Sequence, residues 1–337
     1  MKPFAAETAA LFELIAKNAV QVELAMRADL DVALRGCEPL LVEVLMYSLL
    51  GKGKRLRPLL TTVSSRLCGG RDSRELGLLA AAFEYLHTAT LIHDDVLDHA
   101  EQRRGRKSVV EQHGLAAAIL AGDWLHARSM RLIGELAGQK GLETFCAATV
   151  DMVDGEFLQM RYAADPAVTE AQYLAVIGKK TAGLISAACA IGALHGQGCP
   201  EQVAALARYG EKIGLAFQIA DDLLDYRGDE QATGKKVCND LLEGKMTLPL
   251  IHALSRANGD ERELLLRSIQ AGHSVSVSCG AVRQLLERLG SFAWCYQRAE
   301  EEMVAGLAAL SCFDQDWQRE DVVVLRSLAG YILSRDR

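Results

Sequence analysis

Proline is scarce in this chain, six in 337 residues, and aromatic side chains make up only 6 % of it. Few prolines leave few obligatory breaks, and abundant Ala and Leu favour helices throughout. No C-x-x-C pair occurs among the nine cysteines, at 37, 68, 146, 189, 199, 238, 279, 295 and 312. The usual signals of a zinc site or a thioredoxin-like motif are therefore missing, and the odd count fits reduced thiols in a cytosol. There is no excess of basic charge: the net charge is −7, so general nucleic-acid binding is not expected. The longest mostly apolar stretch, Ala182 to Leu194, is too short to span a bilayer. The start, Met1-Lys-Pro-Phe-Ala-Ala-Glu7, lacks the apolar core of a signal peptide. A cytoplasmic protein that does not span the membrane is expected. No linker or low-complexity segment interrupts the chain, so one all-α domain over residues 1–337 is expected.

What the chain does contain is a pair of acidic motifs. In Leu91-Ile-His-Asp94-Asp95-Val-Leu-Asp98, the first and last aspartates are four residues apart. On a helix they stack on one face, and their repulsion calls for a positive partner. An apolar frame and hard oxygen ligands suit Mg²⁺ with room for water and phosphate. Phe217-Gln218-Ile-Ala-Asp221-Asp222-Leu-Leu-Asp225 repeats the pattern. If the two helices face each other, their carboxylates line one cleft and hold several ions that bind phosphate oxygens. The bland reading of either motif alone is a solvated acidic face.

In chain order, residues 7–34 read as an amphipathic helix or helix pair, and 40–50 as a short apolar helix. Lys54, Arg55 and Arg57 open the next helix, with Pro58 in its first turn, a composition suited to a diphosphate at a helix N-terminus. Residues 74–98 form one long helix, with His87 two turns below Asp94 on the same face. Arg103-Arg104-Gly105 follows, its guanidinium forks suited to phosphate. Helices are expected at 114–136 and 142–163, the second carrying Glu156 and Gln159 as solvated or supporting groups. Thr169 and Gln172 form a capping box. The helix it starts carries Lys179-Lys180-Thr181 and then a run of small residues, which suits close helix packing, a channel wall or a dimer face. Pro200 opens the helix of the second acidic motif. Lys235 and Lys245, in the loops after it, are candidates to close over phosphate. The last third reads as amphipathic helices without chemistry.

The ordered set Gly53-Lys54-Arg55-Leu-Arg57-Pro58, His87, Asp94-Asp95-x-x-Asp98, Arg103-Arg104-Gly105, Lys180-Thr181, Phe217-Gln218-x-x-Asp221-Asp222-x-x-Asp225, Gly234-Lys235 and Gly244-Lys245-x-Thr-Leu-Pro249 resembles that of the trans-isoprenyl (polyprenyl) diphosphate synthases. It covers about residues 50–250, and the flanking helices are similar to those of bacterial octaprenyl diphosphate synthases. The resemblance implies an all-α bundle around a deep central cavity, as a homodimer. It implies Mg²⁺ held mainly by Asp94, Asp98 and Asp221, with Asp95, Asp222 and Asp225 in support. Arg103, Lys180, Thr181, Gln218, Lys235 and Lys245 would hold an allylic diphosphate such as farnesyl diphosphate. Lys54, Arg57, His87 and Arg104 would hold isopentenyl diphosphate. One departure is Lys52, at a position that is often Gly in the family's basic loop.

The implied reaction ionises the allylic C–O bond, joins the cation to the C=C of isopentenyl diphosphate, and loses a proton. It needs no enzyme nucleophile, and the departing diphosphate is the expected base. In the family, the residues five and four before the first aspartate, here Ala89 and Thr90, help set product length. Neither is aromatic, which implies a long product, about C40, with a quinone side chain as its destination. Phe83, about 16 Å down the helix from Asp94, would be a floor at medium length if it pointed into the path. A shorter product, C15–C25, remains the alternative. A terpene cyclase would have no use for Lys54, Arg57 and His87, and an HD-type phosphohydrolase would leave the second acidic motif unexplained. A non-catalytic partner subunit is the reading from outside enzymology, and it need not retain both motifs.

Overall fold

Local chemistry marks many of the helix boundaries. Ser73 accepts the backbone N–H of Leu76 and starts a 24-residue helix. Thr169 and Gln172 cap each other reciprocally, as expected. Gly138 takes φ 65° inside a long helical run and breaks it into two arms, a left-handed conformation that glycine reaches at low cost. These arms correspond to the two helices expected at 114–136 and 142–163.

A computed structural model describes residues 4–49, 53–103, 105–227, 238–271 and 279–334. The fold is all-α. Its helices are α1 (Phe4–Ala33), α2 (Pro39–Leu49), α3 (Leu56–Leu67), α4 (Arg74–Leu97), α5 (Val109–His113), α6 (Leu115–Arg161, broken at Gly138) and α7 (Glu170–Ile177). A π-helical turn, Gly178–Ala182, leads into α8 (Gly183–His195), followed by α9 (Pro200–Arg227), α10 (Asn239–Leu242) and α11 (Leu248–Arg256). Then come α12 (Gly259–Ala271), α13 (Cys279–Arg288), α14 (Ser291–Ala309) and α15 (Arg319–Ser334). Among the described residues the strands are Gln102–Arg103 and Arg106–Lys107, a small antiparallel hairpin with Arg103 opposite Arg106.

The chain divides into two compact units. The first comprises Met1–Cys146, Ala187–Ala207 and Cys312–Ser327. In it α4 packs against α1 and α3. Ala80 through Leu86 are all buried, so this stretch of α4 is enclosed on every side rather than amphipathic. Buried polar groups there are paired: Asp29 of α1 accepts from Tyr85 Oη and Arg128 Nε, each at 3.0 Å. The small residues of α8 have a packing reason in this unit. A Cβ on Gly192 would sit 2.3 Å from the carbonyl oxygen of Thr61, so α8 and α3 approach backbone to backbone. Of the three uses open from sequence, close helix packing is the one observed here.

The second unit comprises Ala147–Ser186, Arg208–Ser311 and Leu328–Arg337. Its core draws on α7, α9, α11, α13 and α14, with Tyr226, Leu248, Leu286 and Cys295 fully enclosed. Gly214 of α9 lies against the π turn, where a Cβ would meet Ala182 Cα at 2.6 Å.

Two expectations change. Cys238 and Cys279, 41 residues apart, are joined as a disulfide with Cα atoms 6.1 Å apart, rather than both being free thiols. The spacing hid the pair because the approach is made by the fold. The apolar run is also longer than its composition suggested: α7, the π turn and α8 form one helical stretch, Glu170–His195, long and apolar enough to cross a membrane. Its best window is 56 % buried inside the protein, as in the core helix of a globular fold.

Candidate active site

In the first unit the acidic motif closes α4. Asp98 is the C-cap residue, and its N–H donates to the Asp94 carbonyl at 2.8 Å. Two carboxylates four apart at the negative end of a helix dipole repel each other and the dipole alike. A cation is the natural compensation. Asp94 is half-buried and Asp98 exposed, whereas Asp95 is buried. Asp95 Oδ1 accepts from Arg103 Nε at 2.8 Å and from Arg103 Nη2. Arg103, expected on the allylic diphosphate, is thus tied to the acidic motif through the small hairpin. Gly105 makes that hairpin's turn at φ 77°. Arg104, Lys235 and Lys52 lie outside the described residues.

The basic opening of α3 sorts its three cations differently from one another. Lys54 is exposed. Arg55, the N-cap residue, sits in the left-handed region at φ 49° and turns inward. It donates to the Leu49 carbonyl at 2.9 Å and forms a buried ion pair with Glu84 of α4. Arg57 Nε is buried and has no hydrogen-bond partner among the described residues. Burial pushes this guanidinium's pKa down and nearby Glu84 pushes it up. An unmade hydrogen bond on a buried donor costs about 1–3 kcal/mol, so the position is suited to an incoming anion. His87 is half-buried on the same helix as Glu84, and its carbonyl accepts from Thr90 Oγ1 at 2.8 Å. Ala89 is only 2 % exposed, and Phe83 is fully buried with its ring edge-to-face on Phe145 at 5.7 Å. Phe83 is therefore part of the packed interior of this unit.

In the second unit one pocket gathers the remaining candidates. It is lined by Gln159, Tyr173, Lys180, Thr181, Gln218, Asp221, Asp222, Asp240 and Lys245, among others. The π turn delivers Lys180 and Thr181, and such turns recur at functional sites. Gly155 of α6 lets that turn approach, since a Cβ there would lie 2.7 Å from Lys180 N. Lys180 Nζ pairs with Glu156 at 2.5 Å and donates to Gln159 Oε1 at 3.3 Å. Lys245 Nζ lies 2.5 Å from Glu243 and 3.6 Å from Asp240. Thr181 donates to Gln218 Oε1 at 2.9 Å, and Gln218 Nε2 donates to Asp222 Oδ1 at 2.8 Å. Asp221 is half-buried in the pocket. Burial and Asp240 push the Asp222 carboxyl up, while its bonds from Gln218 and Tyr173 pull it down. Asp225 is spent on local structure, accepting the N–H groups of Asn239 and Asp240 at 3.1 and 3.2 Å.

The second unit thus gathers its part of the predicted set into one pocket, while in the first Arg103 meets Asp95 and Arg57 lies near Glu84. Among the described residues no three His, Cys, Asp or Glu side chains form a preassembled metal cage. Mg²⁺ does not require one, because it is commonly held by one or two carboxylates plus substrate phosphates. The donors fit that mode: accessible carboxylates, with lysines that would meet the phosphate.

Sequence reasoning missed Glu84 and Tyr173. Glu84 had a signal, a lone carboxylate inside the apolar stretch Ala80–Leu86, which is almost never buried unpaired. Tyr173 had none, because its partner lies 49 residues away.

Residues 38–286 match the family described as Polyprenyl synthetase. The octaprenyl diphosphate synthase of Escherichia coli is 36 % identical over 291 residues, 86 % of this chain and 88 % of that protein. A short chain isoprenyl diphosphate synthase of Methanothermobacter thermautotrophicus is 37 % identical over 288 residues, 84 % of this chain and 87 % of that one. The crystal structure of a polyprenyl synthase from Caulobacter crescentus, complexed with calcium and isoprenyl diphosphate, superposes with a TM-score of 0.86. It is 34 % identical and covers 98 % of both chains.

Proposed function

The chain belongs to the polyprenyl synthetase family and is a prenyltransferase, and from that premise we propose that it condenses an allylic diphosphate with isopentenyl diphosphate repeatedly, with Mg²⁺, to a long all-trans polyprenyl diphosphate. The observation that carries the site assignment is the mixed lining of the second-unit pocket, Asp221 beside Lys180, Thr181 and Lys245. Carboxylates alone would suit a bare cation, and lysines alone a bare anion. The two together suit a metal-bound diphosphate.

Asp94 and Asp98 in the first unit would serve as metal ligands there, and Asp221 would do so in the pocket of the second. A Mg²⁺ ion held by these carboxylates would supply charge neutralisation of the allylic diphosphate and polarisation of its C–O bond. Lys180 and Thr181 hold the leaving diphosphate as its charge grows, which is where fixed donors lower a barrier most. For Lys180 this means exchanging Glu156 for phosphate. Arg57, with its unmet Nε, and Lys54 hold isopentenyl diphosphate so that its C=C meets the allylic cation. The proton lost from the carbon beside the new cationic centre, whose electron pair restores a double bond, goes to the departing diphosphate, so no protein base is assigned. Incubating the purified chain with farnesyl diphosphate, labelled isopentenyl diphosphate and Mg²⁺ tests this. Label in a longer prenyl chain is expected; no transfer by the purified chain alone sinks the reading and favours a non-catalytic subunit.

Relatives span short and long products, so length is argued from the residues of α4. Neither Ala89 nor Thr90 carries an aromatic ring near the acidic motif, which supports a product of about C40, while Phe83, buried against Phe145, is the position at which a shorter product would be set. Ala89 is itself buried, so a tyrosine there would strain the core; Thr90, half-buried, is the better probe. Thr90→Phe is expected to shift the extracted product to about C20 or shorter while isopentenyl incorporation continues, on the ground that an added ring fills space near the acidic motif. Mass spectra showing an unchanged product would remove this position from the account.

We assign a homodimer on a feature of α6. Val150, Val153, Phe157 and Met160 are all exposed and recur at steps of three, four and three. That is the spacing of a helix–helix seam, and a second copy presenting the same stripe would cover it by two-fold symmetry. Val153→Glu with Phe157→Glu is expected to convert a dimer to a monomer in size-exclusion light scattering. A wild-type monomer, or a dimer that survives both changes, contradicts the assignment.

A further inference from the structure

Asp222 is held from two sides. Tyr173 of α7 is buried, and its hydroxyl donates to Asp222 Oδ2 at 2.7 Å. Gln218, one turn before Asp222 on α9, donates to the other oxygen at 2.8 Å. The amide oxygen of Gln218 accepts in turn from Thr181 of the π turn at 2.9 Å. The result is a directed line from Thr181 to Gln218 to Asp222, closed by Tyr173, through three helical elements of the second unit. Three of its members were expected to touch metal or diphosphate; Tyr173 was not.

A buried tyrosine needs a partner for its hydroxyl, and in most cores any carbonyl serves. Here the acceptor is a carboxylate adjoining Asp221, and Tyr173 lines the same pocket. A carboxylate with both oxygens engaged cannot rotate freely. Its neighbours on the last turns of α9 are then held in one setting, with the Gln218 amide pointing its nitrogen at Asp222 and its oxygen at Thr181. Gln218 cannot make both contacts if the amide flips. Without the phenol, Asp222 retains one described donor, and the side chains beside the pocket lose the restraint.

We propose that Tyr173 is a positioning residue for the diphosphate pocket, acting through Asp222 to hold Gln218 and Asp221 in their binding orientation. The proposal rests on the reading that this pocket takes a metal-bound diphosphate. Tyr173 touches no reacting atom and is not a catalytic residue. Outer partners of this kind commonly change metal affinity 10–100-fold when removed.

The test uses the full chain and inorganic pyrophosphate titrated calorimetrically at fixed Mg²⁺, so that no turnover is needed. Tyr173→Phe keeps the ring and deletes only the hydroxyl. It is expected to weaken the apparent Kd about 10-fold, with cooperative thermal unfolding retained. A Kd within about twofold of wild type, set against that expectation, overturns the proposal. Asp222→Ala supplies a second arm, since it removes both oxygens through which the phenol would act. If Tyr173 acts through Asp222, the double variant binds no more weakly than Asp222→Ala alone. Independent, additive losses mean Tyr173 acts by packing, and overturn the proposal as well. Failure of the functional reading is distinguishable: wild type would then not bind Mg²⁺–pyrophosphate, or Asp221→Ala would bind it as well as wild type does, and the proposal falls with it.

Discussion

Asp94→Ala is expected to lower kcat by about 10³-fold or more without a matching loss of stability. The magnitude follows from the role. A ligand that lets a metal take up developing charge is worth several kcal/mol in the transition state, and each 1.36 kcal/mol is about tenfold in rate. The stability side follows from position. Asp94 sits in the last turn of α4 with Asp98 one turn on. The helix dipole and the like charge both oppose a carboxylate there, so removing it relieves repulsion. A structural aspartate would show the reverse, lower Tm with activity retained. Asp221→Ala in the second unit is expected to behave like Asp94→Ala. Single-turnover rates with farnesyl and isopentenyl diphosphates, alongside Tm, separate the cases. A kcat within tenfold of wild type for either variant would remove that aspartate as a proposed metal ligand.

The largest stability effect is expected at Glu84. Its carboxylate and the Arg55 guanidinium are both nearly inaccessible, 5 % and 4 % exposed. Glu84→Leu leaves Arg55 buried without its carboxylate, and losing one member of a buried pair costs about 3–5 kcal/mol. The double variant Arg55→Leu/Glu84→Leu removes both charges and is expected to recover most of that, because a well-packed apolar pair is often no less stable than the ion pair. Urea unfolding of the two variants and wild type measures the difference. Should the double variant be as unstable as Glu84→Leu, the two residues are not coupled. The double variant also probes function, since Arg55 ties the loop before α3 to Leu49 and α4. A raised KM for isopentenyl diphosphate with stability restored would assign that tie to holding Lys54 and Arg57.

The acidic motifs, the capping box at Thr169 and the helix starts at Arg74 and Pro200 were all legible, and each depends on residues within a few positions of one another. The basic loop was legible as a composition but not as an arrangement. Lys54, Arg55 and Arg57 look equivalent in sequence, yet Arg55 is consumed by Glu84 while Arg57 keeps an unmet donor. The ring that Phe83 packs against, Phe145, is 62 positions away and had no signal in the sequence. The cysteines read as reduced thiols because nothing in a spacing of 41 residues reports that two chain segments meet.

Sequence alone determined the helical class and where the acidic motifs fall, because helical periodicity and charge spacing act over one or two turns, and the ordered motifs carried the resemblance to the family, which implied the candidate ligands. Tertiary structure decided which of those side chains have already been claimed. Arg55 by Glu84, Arg103 by Asp95, Lys180 by Glu156 and Asp222 by Tyr173 are pairings across separate elements. It also decided where backbones come close enough to require glycine, at Gly155 and Gly192. The physical reason is common to both. A side chain's periodicity is set by its neighbours in the chain, whereas the partner that satisfies a buried charge, or the atom that forbids a Cβ, is set by whichever element packs against it.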